Sequence, residues 1–329
     1  MTAFGPRCKV NAMHIVVLDG YALNPGDNPW DAVAAHGQLT VHDRTPGAQI
    51  LERAGDADII LTNKTPLSAD TLARLGKLRF VSVLATGYNI VDVLAASKRG
   101  IVVSNVPVYG TDSVAQFVFA MLLHFCHNVA GHDAVVKEGR WTASPDFCFW
   151  VSPLSELRGK TMGIIGFGRI GRTVGKLASA FGMRVLAADD YRANPPDYEF
   201  EWADTAAVFS QADVVSLHCP LTKDNAGMVN KASLARMKPD AILINTARGG
   251  LVNEADLADA LNAGRIRGAA CDVVSTEPIA PDNPLLRAKD IVLTPHIAWA
   301  TLEARRRLMQ TTADNIAAFI AGKPVNVVR

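Results

Sequence analysis

Apolar residues along this chain fall into short β-branched runs separated by longer Ala- and Leu-rich stretches, and the alternation continues almost from end to end. A compact run rich in Val and Ile predicts a buried strand. Ala and Leu recurring three and four residues apart predict one face of a helix. The first series of strand-like runs is HIVVLD, ADIILT, RFVSVLAT and GIVVSN. A second series starts at Thr161 with TMGIIG, then RVLAAD, ADVVSLH, AILINT, RGAACDV and DIVLTP, ended by Pro295. Strands alternating with helices predict βαβ units with parallel sheets.

Between the two series, NVPVYGTDSVAQFVFAMLLHFCHNV breaks at Pro107 and Gly110 and runs into a long helix, with Thr111 or Asp112 available as its N-cap. KEGRWTASPDFCFWVSPLSEL follows, aromatic and proline-bearing with weak periodicity. So long an irregular stretch is usually functional or an interface. The last residues read as helix until GKPVN. The pattern predicts an α/β protein of two domains, with the helix near residues 110–129 as the link. It leaves open which domain the C-terminal helix joins.

Composition adds bounds. A chain of 329 residues suits two domains better than one. A formal net charge of +1 gives no reason to expect capture of nucleic acid or of an anionic membrane. No apolar run approaches the roughly 18 residues a membrane span needs. The five cysteines (Cys8, Cys126, Cys148, Cys219, Cys271) are scattered and lack CxxC spacing, as expected of free thiols in the cytoplasm. MTAFGPRCKVNA has no secretory apolar core, so residues 1–12 read as an N-terminal extension.

The sharpest local signal is GIIGFGRIGRTVGKLASAFGMRVLAADD. Glycine weakens a strand-to-helix junction, so its repetition needs a reason. In GFGRIG, Gly166 permits a tight turn, Gly168 lets the backbone approach a pyrophosphate, and Gly171 lets helix and strand pack closely. The helix N-terminus adds bare N–H groups and positive dipole. Asp189 ends the next strand, eighteen positions after Gly171, where a carboxylate can bind ribose hydroxyls and repel a 2′-phosphate. Asp189 and Asp190 starting an ordinary loop is the plain alternative. Arg192 is a complication, because a nearby arginine favours that phosphate.

Three later segments carry chemistry: INTARGG with Arg248, CDVVSTEP with Asp272 and Glu277, and TPHIAW with His296. Reduction of a 2-oxo acid needs a cation for the carboxylate, a proton donor for the carbonyl oxygen and an acid to orient that donor. Arg, His and Glu supply these. Singly, each has an ordinary explanation as a surface ion pair, a loop residue or a turn. Together, downstream of a dinucleotide fingerprint, they predict a site.

GFGRIG, LHCPLT, INTARGGLVNE, ACDV with STEP, and TPHIAWAT together resemble the D-isomer-specific 2-hydroxyacid dehydrogenases, on the hydroxypyruvate reductase (glycerate dehydrogenase) branch. The resemblance runs from about Met13 to the C-terminus. It implies two Rossmann-like domains with parallel sheets and an active site in the interdomain cleft. A substrate-binding domain would take residues 13–106 plus 298–329, and an NAD-binding domain residues 107–297, with a dimerisation arm near 130–155. Arg248, Glu277 and His296 match the catalytic residues. Gly166, Gly168, Arg169, Ile170, Gly171, Asp189, His218, Thr246, Ala247, Asp272 and Trp299 match the cofactor side, with Thr246 and Ala247 beside the nicotinamide and Asp272 its carboxamide partner. Thr86, Gly87, Tyr88 and Lys64 would meet substrate. The implied protein is a cytoplasmic homodimer using NAD.

One departure stands out. The family often has a glycine, one residue, then Asp-Asn-Val/Ile-Asp in the substrate loop; here it reads Gly87, Tyr88, Asn89, Ile90, Val91, Asp92. Backbone N–H groups at Gly87 and Tyr88 can still cradle a carboxylate. Lys64 has a solvated surface lysine as its alternative. No metal is expected: His124 and His127 share a helical face, but Cys126 points elsewhere and His132 lies past the expected helix end. The expected activity is hydride transfer between NAD(H) and a small 2-oxo acid, hydroxypyruvate or glyoxylate. The alternatives are a 3-phosphoglycerate dehydrogenase without a regulatory domain, and a dinucleotide-sensing protein of corepressor type.

Overall fold

The computed structural model describes residues 13–329, and the expected extension over residues 1–12 lies outside them. The chain divides into two compact units, one made of the chain up to Gly110 with Ala300–Arg329, the other of Thr111–Trp299.

The first unit is built on five parallel strands: β1 (His14–Val17), β2 (Gln38–Val41), β3 (Ile59–Thr62), β4 (Phe80–Val83) and β5 (Val102–Ser104), in the order β2-β1-β3-β4-β5. Val16, Ile60, Val81 and Val103 point into one apolar cluster. Residues of the opposite parity face the other side, where Phe80 stacks on Phe319 of the C-terminal helix Leu302–Ile320 at 4.6 Å. That helix belongs to this unit. Arg305 on it forms a two-pronged bond to Asp27 at 2.5 and 2.7 Å, and Asn315 donates to the Asn105 carbonyl at 3.0 Å. The arginine holds the Asp27 carboxyl below the usual carboxylate range.

The second unit carries β6 (Thr161–Ile165), β7 (Arg184–Ala188), β8 (Glu201–Trp202), β9 (Val214–Leu217), β10 (Ile242–Asn245), β11 (Gly268–Cys271) and β12 (Ile291–Leu293). Their order, β12-β11-β10-β9-β6-β7-β8, is all parallel and reverses direction between β6 and β9. Strands covered on both faces need apolar residues at every position. Ile242 and Ile244 join Met162, Ile164 and Leu122 of helix Thr111–His127 on one face. Leu243 joins Leu217, Val208 and Leu257 on the other. Each such side chain, fully buried, contributes about 1.5–3 kcal/mol.

Helix Thr111–His127 starts at Thr111 itself, so Thr111 lies inside the first turn rather than capping it. It stops at Asn128, whose φ is 42°, and the chain restarts as helix Val129–Lys137 at an angle of 53°. His132 lies past the end of the long helix, as expected, and sits on the second one. Its Nδ1–H donates to the Asn128 carbonyl at 2.9 Å, and its Nε2 accepts the Val151 N–H at 3.1 Å. Past Lys137 the chain runs in turns and bends, with Trp141, Phe147 and Trp150 exposed. No single helix among the described residues is long and apolar enough to cross a membrane. Among those residues, no group of three or more His, Cys, Asp or Glu is placed to hold a metal ion.

Candidate active site

Open parallel sheets bind ligands beyond their strand C-termini, where the order reverses. In the second unit that point lies between the turn after β6 and the turn after β9. Gly166 has φ 92°, and a Cβ there would stand 2.4 Å from the Cys219 nitrogen, so the two turns touch through a bare backbone. A Cβ on Gly171 would stand 2.2 Å from the Gly166 carbonyl oxygen, which fixes how closely helix Arg169–Ala180 meets the turn. A Cβ on Gly168 would meet nothing within 4 Å. Gly168 is also the N-cap of that helix and offers no side-chain cap, so no side chain competes with a ligand for the helix's first N–H groups. Arg169 and Ile170 open the same helix.

Asp189 follows β7 and bonds across to this turn. Its Oδ2 accepts the Phe167 N–H at 2.6 Å and its Oδ1 accepts the Tyr191 N–H at 2.8 Å. His218 follows β9, with Nε2 2.8 Å from the Ser216 hydroxyl, and burial pushes its imidazole down to about 3. Thr246 follows β10, and its Oγ1 is buried with no hydrogen-bond partner. A polar atom left so is costly unless a ligand completes it. The bare helix end, the open face of Gly168, the carboxylate after β7 and this orphaned hydroxyl line up along one sheet edge and fit a dinucleotide.

Beside Thr246, buried Asn245 shapes the turn that presents Arg248. Its Oδ1 accepts the Ala247 N–H at 3.0 Å and its Nδ2 donates to the Arg248 carbonyl at 2.9 Å. The Arg248 guanidinium is exposed, and one of its nitrogens donates to the Ala247 carbonyl at 2.7 Å. After β11 comes Asp272, almost wholly enclosed. Its carboxylate accepts from the Thr294 hydroxyl at 2.7 Å and from the N–H groups of Ile297 and Ala298, each at 2.8 Å. Its carbonyl accepts the His296 N–H at 2.8 Å. Burial raises the Asp272 carboxyl, and the three donors oppose that. Asp272, expected beside the carboxamide, holds the segment that carries His296 and leads to Trp299.

The His296 Nδ1 lies 2.7 Å from Glu277 Oε2. A carboxylate only accepts, so the ring proton sits on Nδ1 and Nε2 faces away from the pair. The Arg248 turn and the loop leading to Glu277 are in direct backbone contact, since a Cβ on Gly249 would fall 1.9 Å from the Val274 carbonyl carbon. Glu254 ties the same loop down, accepting from the Ser275 N–H and hydroxyl at 2.7 Å each and from Asn283 Nδ2 at 2.9 Å. Asn245, Glu254 and Gly249 went unnoticed in the sequence as positioning residues, although all lie within INTARGGLVNE.

The remaining expected residues, Thr86, Gly87, Tyr88 and Lys64, belong to the first unit. The Thr86 hydroxyl donates to the Val106 carbonyl at 2.9 Å. The N–H groups of Gly87 and Tyr88 have no hydrogen-bond partner among the described residues. Asp19 organises the Lys64 loop by accepting the N–H groups of Asn63, Lys64 and Thr65 at 2.7, 2.6 and 2.7 Å. Lys64 itself is exposed. A cavity of about 290 Å³ lies at the opposite, N-terminal edge of the second sheet, far from this chemistry. Two of its cations are spent internally: Lys238 on Asp213 at 2.8 Å and Arg267 on the Phe125 carbonyl at 2.6 Å.

Residues 119–298 match the family described as D-isomer specific 2-hydroxyacid dehydrogenase, NAD binding domain. The chain belongs to that family. Among its relatives in the family, a hydroxypyruvate reductase of Blautia hydrogenotrophica is 52% identical, over 96% of this chain and 99% of its own. A glycerate dehydrogenase of Methylorubrum extorquens is 42% identical, over 85% and 88%. Among solved structures, an NADPH-dependent glyoxylate/hydroxypyruvate reductase from Sinorhizobium meliloti, in complex with NADP and malonate, superposes with a TM-score of 0.80 at 28% identity, covering 96% of this chain and 97% of that one. As a D-2-hydroxyacid dehydrogenase family member the chain is an oxidoreductase acting on CH–OH donors with a nicotinamide cofactor.

Proposed function

We propose that this dehydrogenase reduces hydroxypyruvate or glyoxylate with NADH, as a cytoplasmic homodimer that engages neither nucleic acid nor membrane. The observation that carries the reading is the Glu277–His296 pair at 2.7 Å, set on the same sheet edge as the Gly166–Gly171 turn. Names of the relatives support the substrate, and Asp189 supports NADH over NADPH. Exposed Trp141, Phe147 and Trp150 support an arm that a second copy covers. Cys126, Cys148, Cys219 and Cys271 are all free thiols, which supports a reducing compartment.

When bound, the reduced nicotinamide supplies the hydride that C2 of the 2-oxo acid receives. Gly168 and the first turn of helix Arg169–Ala180, with Arg169 and Ile170, hold the pyrophosphate; Asp189 holds the ribose hydroxyls. Thr246, Ala247, His218 and Trp299 line the remaining length. Arg248 binds the substrate carboxylate through the planar fork its side chain presents. His296 Nε2 gives its proton to the carbonyl oxygen as C2 is reduced, and Glu277 keeps Nδ1 protonated and the ring oriented.

Substitution at Arg248 tests this. Arg248→Ala should lower kcat/KM for hydroxypyruvate by about 100-fold while leaving the Kd for NADH near its original value. Arg248→Lys should recover only part, because a point charge lacks the fork. An Arg248→Ala enzyme of near-normal kcat/KM contradicts the assignment.

A further inference from the structure

We infer that Trp202 tunes discrimination against a 2′-phosphorylated cofactor by competing for Arg192. The inference rests on the NAD(H) reading above and deepens it.

After Asp189 the chain folds back, so that β8 pairs in parallel with β7 and Trp202 comes opposite Ala187. The returning loop is pinned on both sides of Arg192. The Tyr191 N–H donates to Asp189 Oδ1 at 2.8 Å, and the Ala193 carbonyl accepts from Arg172 at 2.7 Å. Arg172 also donates to the Asn194 carbonyl, and its Nε reaches the Phe167 carbonyl of the glycine-rich turn at 2.8 Å. Arg192 thus hangs from a fixed backbone, and its side chain alone has a choice of partner. Its guanidinium lies over the Trp202 ring, 5.2 Å from the centroid. Among the described residues it forms no ion pair with Asp189 or Asp190. The indole is itself braced edge-on by Phe200 at 5.1 Å and Phe167 at 5.5 Å. The ring that receives Arg192 therefore packs, through Phe167, against the same turn that would hold the pyrophosphate.

An arginine three positions after the ribose-binding acid is well suited to take a phosphate on that ribose. On the indole face its charge is already satisfied, and a 2′-phosphate must detach it while also facing Asp189. A cation–π contact at an exposed site sets this competition at about two- to fivefold in affinity. Asp189 supplies the repulsion, and Trp202 withholds the cation that would offset it.

Calorimetric titration of the protein with AMP and with adenosine 2′,5′-bisphosphate, which differ only in the 2′-phosphate, reads the discrimination on the adenosine half alone. The ratio of the two Kd values in the wild type should favour AMP. Trp202→Leu keeps apolar bulk but no π face, and should narrow the ratio by about two- to fivefold. Trp202→Phe preserves the aromatic packing with a weaker face and should shift the ratio the same way, by less. Neither substitution should move the ratio in an Arg192→Ala background. An unchanged ratio in both single variants, or an equal shift with and without Arg192, overturns the inference. Failure of both nucleotides to bind contradicts the cofactor reading itself, and the inference falls with it. A protein that binds them as expected yet reduces no 2-oxo acid contradicts the reductase reading and leaves the role of Trp202 supported.

Discussion

At His296 the backbone has φ 56°, a conformation that a residue other than glycine keeps only when its surroundings impose it. Asp272 imposes it, taking the N–H groups of Ile297 and Ala298 on its carboxylate and that of His296 on its carbonyl. The Glu277–His296 contact was legible in the sequence because the expected chemistry pairs those side-chain types. The clamping of the His296 segment by Asp272 was not, because a carboxylate's backbone partners depend on a fold that brings distant segments together. Glu277→Gln keeps an acceptor for Nδ1 but removes the charge, and should lower kcat by about 100-fold with little change in NADH affinity. Single-turnover kinetics would check it, and a normal rate would contradict the pairing. His218 gives a second expectation at this scale. In the unfolded chain it takes a proton below about 6.5, whereas in the folded chain it does so only near 3. Between those values the unfolded state holds the extra proton, so this residue removes stability as pH falls. The slope is up to about 1.4 kcal/mol per pH unit. Urea denaturation at pH 7, 6, 5 and 4 should show a shallower loss for His218→Asn than for the wild type, and parallel losses would contradict this.

Elements meet most closely where the Arg248 turn crosses the loop to Glu277. Gly249→Ala would drive a methyl into the Val274–Ser275 backbone, where the nearest atoms lie at 1.9–2.4 Å. Backbone cannot rotate aside as a side chain does. The substitution should cost about 1–3 kcal/mol in stability and depress kcat with it, measured by denaturation and steady-state rates. Wild-type values for both would show that the two loops need no such contact. The strands of both series were legible where both faces are buried, as in ILIN of β10. β2 was not: QLTV lies at a sheet edge, bonds only to β1 and stays partly exposed, so its pattern is mixed. The end of the linking helix was read close to Asn128, but the second helix beyond it was not: Val129–Lys137 buries none of its residues, so no apolar face marks it.

The two-unit organisation of the molecule was legible in the two series of strand-like runs; the partner of the last helix came from the family resemblance and not from the pattern. Periodicity shows that Leu302–Ile320 has an apolar face but not whose core receives it. That depends on Phe80, Asp27 and Asn105, all distant in sequence. Near-zero net charge fits a small-molecule enzyme, and the family sets the chemistry within which the substrate must be found. The central claim is that this chain passes hydride from NADH to a small 2-oxo acid under protonation by His296. Loss of NADH absorbance, followed with hydroxypyruvate, glyoxylate, pyruvate and 3-phosphohydroxypyruvate beside a His296→Ala control, tests it most directly. The account predicts the highest kcat/KM with hydroxypyruvate or glyoxylate and a loss of about 100-fold or more in the control; no oxidation of NADH with either acid, or equal rates with and without His296, would contradict it.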